Sequence, residues 1–349
     1  MRDARAIRAV VLASPVARSV PVRTEQPLST QRAFERVFAA CVQQPSCRNA
    51  FPHVERDFYA AFDELRASPV PVPVTRLDGP ADTVWLDGKR LVARLRDRTH
   101  ERAGLARIPL LVHELRSGDR LRAARELVGD GSAPALLVGR VARDLITCYD
   151  TYGPAYRKML DSVNALARPP FRRVADQDCE QWLPRMGDPS MRTPVRSDIP
   201  TLIMTGHFDD RTPTAYTRRI TATLSLAYFV ELPDEGHDAR PSACHAAIVA
   251  QFFEAPTRRP DTSCVAAIPP IPFATAWERT KDGGSAGRSE VGALPRPDPA
   301  RPGLAPGSRA ASPAWQERAD ALIPGGHRVV LHGSRASGSG GQSGRLASQ

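Results

Sequence analysis

Lysine is almost absent from this 349-residue chain. Lys89, Lys158 and Lys281 are the only three, so arginine carries nearly all the positive charge behind the formal net charge of +10. Aromatic residues are also scarce, at 6%. The arginines are spread along the chain among acids, with few aromatics between them. A nucleic-acid surface instead gathers basic residues into a stripe, so no nucleic-acid partner is expected. No run of about 18 apolar residues occurs, which argues against a membrane-spanning helix. No C-x-x-C motif occurs, which removes the usual zinc and thioredoxin signatures, and neither a metal nor a cofactor is expected. No repeat of fixed period is visible. The opening residues MRDARAIRAVVLASPVA have a short apolar part interrupted by arginine, a poor match to a secretory leader.

What is present fits a globular chain. The hydrophobic fraction is 42%, enough for a sizeable core. The length allows one large or two ordinary domains. The cysteines are Cys41, Cys47, Cys148, Cys179, Cys244 and Cys264. An even, widely spaced set fits disulfides and an oxidising, secreted or periplasmic compartment. Spacing leaves the connectivity open, although CVQQPSC would close a small loop if Cys41 met Cys47.

Ile7–Leu12 (IRAVVL) reads as a buried strand. Phe34, Val37, Phe38 and Cys41 follow helical spacing, with Ser29 or Thr30 as cap. Val54, Phe58, Ala61, Phe62 and Leu65 repeat that pattern. Residues 68–78 read as extended, and 88–130 and 134–168 as further amphipathic helices. The pattern then changes. Thr201–Thr205 is a strand, Pro213–Leu224 a helix opened by Thr212-Pro213, Tyr228–Leu232 a strand and Cys244–Phe253 a helix. Such alternation is expected of a parallel sheet flanked by helices, an α/β fold. Residues 274–349 turn rich in Gly, Pro, Ser and Arg and predict a disordered tail; HRVVLHG at 327–333 is at most a lone strand.

In a parallel α/β sheet, functional groups gather at the carboxyl ends of the strands. One strand here runs into Gly206-His207-Phe208-Asp209. The other runs into Pro233-Asp234-Glu235-Gly236-His237. A carboxylate after one strand and a histidine after the next supply the acid and base of a Ser–His–Asp system. Asp209 before His237 keeps the order that α/β-hydrolases use. The plainer alternative makes Asp209 a helix cap and His237 a turn residue. His207 reads as a surface-loop residue and His245 as structural. The spacing of His207, Asp209, Asp210 and His237 matches no zinc motif.

DIPTLIMTGHFDDRTP at 198–213, YFVELPDEGHD at 228–238 and SACHAAIVAQFFEAPTRRPDTSCVAAIPPIPF at 242–273 resemble the C-terminal part of the tripeptidyl-aminopeptidase-like serine exopeptidases. These are secreted α/β-hydrolases related to prolyl aminopeptidases. The resemblance implies that Asp209 is the triad acid, His237 the base, and Cys244 and Cys264 a bracketing cysteine pair. It extends upstream through QRAFERVFAACVQQPSCRNAFPHVERDFYAAFDEL, which is similar to the start of the family's helical lid. ITCYD at 146–150 and CEQWLP at 179–184 are similar to its cysteine-bearing returns. IRAVVLASPV is similar to the strand after the nucleophile helix.

The resemblance therefore implies a partial α/β-hydrolase. Residues 1–29 hold the strand that follows the nucleophile helix, 30–185 a mostly helical lid, 186–273 the C-terminal hydrolase segment and 274–349 the tail. The implied substrate is a peptide or a small ester or amide. The family's serine stands in G-x-S-x-G between a strand and a helix, and nothing before Ile7 holds it. The expectation is a chain that keeps acid and base, lacks its nucleophile and is inactive by itself; the alternatives are a non-catalytic binding fragment, one completed by a partner such as a missing N-terminal half, or an incomplete gene model of a full secreted peptidase with its nucleophile encoded upstream. Gly283-Gly284-Ser285-Ala286-Gly287 satisfies the motif by composition. It follows ERTKD rather than an apolar strand, and no helix follows it, so Ser285 is not expected to serve.

Overall fold

The apolar runs around residues 201 and 228 do form neighbouring strands. A computed structural model describes residues 6–75, 81–129, 154–173, 193–237 and 242–278. Two compact units divide the chain at Thr280 and Lys281, and all the described residues belong to the first. β1 (Val10–Ala13), β4 (Thr201–Gly206) and β5 (Ala227–Leu232) make a parallel sheet in the order β1-β4-β5. β4 is buried along its whole length, as befits a central strand covered on both faces. Leu202, Met204, Val230 and Leu232 pack with Ile248 and Phe252 of α9 (Ala243–Glu254). That helix is capped by Ser242, whose side chain accepts from the His245 backbone N–H at 3.1 Å.

Three local expectations need correction. β1 begins at Val10 rather than Ile7 and is only half-buried, because among the described residues it pairs on one side alone, with β4. The expected helix 213–224 is a short α8 (Thr214–Thr217) followed by a 3-10 stretch at Arg218–Thr223. α1 (Val22–Gln43) starts well before Ser29, with Pro27 inside it, so Ser29 and Thr30 are buried helix residues and not caps.

The helical block before the sheet comprises α1, α2 (Pro45–Ala50), α3 (Val54–Ala67), α4 (Gly88–Arg98), α5 (Arg102–Ser117), α6 (Arg120–Val128) and α7 (Pro154–Leu166). An antiparallel hairpin of β2 (Val70–Thr75) and β3 (Ala81–Leu86) is inserted among them. Apolar positions at helical spacing build its core. Phe34 lies 5.3 Å from Phe58 and 5.4 Å from Phe171, ring centre to ring centre. Such tilted and edge-on aromatic pairs contribute beyond the area they bury. Cys41 and Cys47 are bonded, as are Cys244 and Cys264. The first pair brackets the start of α2 and the second ties α9 to α10 (Ser263–Ala266). Cys148, Cys179, Ser285, the 274–349 tail beyond residue 278 and the 327–333 run lie outside the described residues. No helix among the described residues is long and apolar enough to cross a membrane.

One buried ion pair joins the helical block to the sheet. Asp210, in the loop after β4, is fully buried. Its carboxylate accepts from Arg96 Nε of α4, from Thr30 Oγ1 of α1 at 3.1 Å and from Thr99 Oγ1 at 2.8 Å. Deleting one partner of a buried pair strands the other charge, at about 3–5 kcal/mol. Arg96 retains some solvent contact. Asp210→Ala is therefore expected to lower stability by about 3 kcal/mol, read from urea unfolding. A loss below about 1 kcal/mol, the scale of a surface pair, would show that the pair does not join the two parts.

Candidate active site

β4 and β5 run parallel and in register, so their carboxyl ends lie side by side. Two glycines allow the loops beyond those ends to meet. A Cβ on Gly206 would stand 2.2 Å from the Gly236 carbonyl oxygen. A Cβ on Gly236 would stand 1.8 Å from the Thr99 carbonyl oxygen, in the loop between α4 and α5. The histidine loop is thus pressed between the sheet and the helical block, with no room for a side chain at either position.

The two residues singled out by position come together. His237 Nδ1 lies 3.1 Å from Asp209 Oδ1 and 3.0 Å from Oδ2. Asp209 is 1% exposed. The backbone N–H groups of Arg211 and Thr212 each donate to Oδ1 at 2.8 Å, and the Thr212 hydroxyl donates to Oδ2 at 2.7 Å. Burial alone pushes the Asp209 carboxyl up. The hydrogen bond and charge of His237, followed by the bonds from Thr212, outweigh that and hold it below its ordinary value. An ionised Asp209 can accept a proton from Nδ1, which would hold the ring in the tautomer whose lone pair is on Nε2. Thr212 is therefore a partner of the acid and not the helix cap that its sequence context suggests.

Asp210, one residue on, turns to Arg96 and takes no part in this pair. His207 sits in a second carboxylate–imidazole contact, its Nδ1 2.7 Å from Glu231 Oε1. That bond holds the Glu231 carboxyl below its usual value against the opposing effect of burial. His245 lies on α9, where burial lowers its pKa. Among the described residues, no group of three or more His, Cys, Asp and Glu could hold a metal ion.

Sequence reasoning missed two neighbours. His100, between α4 and α5, places its ring centre 5.7 Å from that of His237, and its Nε2 accepts from Arg211 Nε. Ser14, directly after β1, donates from Oγ to the His237 carbonyl oxygen at 2.9 Å. Nothing in the local sequence of either residue marks it, because both reach the site from distant parts of the chain.

The lowered Asp209 value has a pH consequence. A carboxyl depressed in the folded state stabilises the fold above its ordinary pKa of about 3.9, and that contribution is lost as pH falls through the folded value. Asp209→Asn is expected to be less stable than the parent chain at pH 7 by about 1–3 kcal/mol. The gap should close below about pH 4. Urea unfolding of both proteins across that range checks this, and a gap independent of pH would contradict it.

No curated protein matches the chain. Residues 170–264 match the family model for TAP-like protein, an α/β-hydrolase domain. The matched stretch contains β4, β5, Asp209, His237 and the Cys244–Cys264 pair, and in it this chain is similar to the hydrolases that the model describes.

Proposed function

We propose that this chain carries the acid and base of a serine-hydrolase site of the aminopeptidase-like peptidase type, with Asp209 as acid and His237 as base. The observation that carries the reading is the contact of His237 Nδ1 with a buried carboxylate at 3.0 Å, at the carboxyl ends of two parallel strands. In such a site the imidazole takes the proton of a serine hydroxyl as its oxygen attacks an acyl carbon. The imidazolium then returns that proton to the leaving amine or alkoxide, and water later releases the acyl group. A cavity of about 560 Å³ nearby is lined in part by Arg36, His207, Phe208 and Asp234, but by neither Asp209 nor His237.

The serine is the open component of this reading. The only G-x-S-x-G in the sequence is that around Ser285, outside the described residues. Our reading assigns the nucleophile to a segment other than this chain, which leaves the chain by itself without acyl-enzyme chemistry. A second reading makes the chain a non-catalytic piece that a partner completes. It is favoured by β1, which pairs on one side alone among the described residues and so presents backbone groups that a further strand would satisfy. Two disulfides are compatible with a secreted or periplasmic setting.

Two reagents test the assignment. A peptidyl chloromethyl ketone alkylates an accessible basic imidazole nitrogen. It is expected to modify His237 at least about tenfold faster than Asp209→Asn permits, since the acid's bond to the imidazole is a charge-assisted one. A fluorophosphonate is expected to leave every serine unlabelled. Equal alkylation of parent and variant would remove His237 from the role of base. Labelling at Ser285 would place the nucleophile in the tail.

A further inference from the structure

Ser14 has a backbone φ of +45°, the only non-glycine residue with positive φ among the described ones. A side chain is disfavoured there, and glycine would adopt the conformation without penalty. Strained backbone of this kind persists only where the surroundings over-determine it, and it concentrates at functional sites. The surroundings of Ser14 are specific. Its N–H donates to the Met204 carbonyl at 2.8 Å, continuing the β1–β4 ladder one step past the strand. Its Oγ donates to the His237 carbonyl at 2.9 Å. Its own carbonyl oxygen lies 3.0 Å from Thr212 Oγ1, the hydroxyl that also lies 2.7 Å from Asp209 Oδ2 and 3.3 Å from His237 Nδ1. A hydroxyl has one proton, so Thr212 shares it between Asp209 and Ser14.

We propose that Ser14 is a positioning residue for His237. Its strained turn holds the histidine's peptide group in place, so that the imidazole meets Asp209 through Nδ1. On the other flank, Gly236 is pressed against the Thr99 carbonyl of the helical block. The base is then fixed through its main chain by two elements, β1 and the α4–α5 loop, as well as through its ring by Asp209. Glycine would adopt this conformation more easily, but it offers no hydroxyl to the His237 carbonyl.

The inference rests on the Asp209–His237 pair acting as acid and base, and the test separates the two ideas. Proton NMR of the full chain at neutral pH follows the hydrogen-bonded Nδ1 proton of His237, far downfield, and its exchange with water. The parent chain is expected to show this proton, and Asp209→Asn to lose it. In Ser14→Ala and Ser14→Gly it should exchange at least about tenfold faster, the scale of one lost hydrogen bond. Ser14→Gly should melt above Ser14→Ala, because only glycine relieves the positive φ while both lose the hydrogen bond. Equally fast exchange in two variants of different stability assigns positioning rather than bulk stability. Exchange within about twofold of the parent in both variants overturns the inference and leaves the acid–base pair intact. Failure of both variants to fold also overturns it, by making Ser14 structural. Absence of the proton in the parent removes the pair itself, and this inference with it.

Discussion

Two adjacent carboxylates in the loop after β4 take opposite partners, and the rest of the structure depends on that division. Asp210 is buried against Arg96, Thr30 and Thr99 of the helical block. Asp209 is buried against His237, Thr212 and the following backbone N–H groups. Burying one carboxylate without partners costs several kcal/mol, and burying two side by side costs more through their repulsion. Each is tolerable because each is saturated by its own donors. The loop is therefore held from both sides, by the helical block through Asp210 and by the histidine loop through Asp209.

Under the proposed assignment, little would have to move when a proton is transferred. Asp209 is below its ordinary pKa and buried, so an imidazolium at His237 would meet a fixed negative charge rather than reorienting water. The close approach of Gly206, Gly236 and Thr99 limits how far the histidine loop can drift. A positional error on the ångström scale is what such sites tolerate least. The helical block thus acts on the site as a clamp, and through His100 it also contributes an imidazole to the wall facing His237.

Much of this was legible in the sequence, and the rest was hidden for physical reasons. TLIMT and YFVEL are short apolar runs ending in turn residues, so β4, β5 and the two loops carrying Asp209 and His237 could be read directly. The aromatic spacing in α1 and α3 gave the helical core. Ser29 and Thr30 read as caps, yet α1 starts at Val22 and runs through Pro27 at the cost of one backbone hydrogen bond. The VPVPVT strand hid its hairpin because proline offers no donor to a ladder, so the partner β3 was missed. Thr212 looked like a cap because Thr-Pro commonly opens a helix, but its hydroxyl serves Asp209. Ser14, Arg96 and His100 lie more than 100 residues from their partners. No local pattern encodes such contacts; they follow from the packing of the helical block against the sheet.

Asp209 is buried and held below its ordinary pKa, and in our proposal its charge organises His237. The carboxyl carbon shift of Asp209 in ¹³C NMR, followed from pH 7 downward, reads it directly. The carboxylate shift is expected to persist below about pH 3.9, the ordinary aspartate value, with protonation only in more acidic solution. Protonation at or above that value would contradict it, by showing that burial outweighs the bonds from His237 and Thr212.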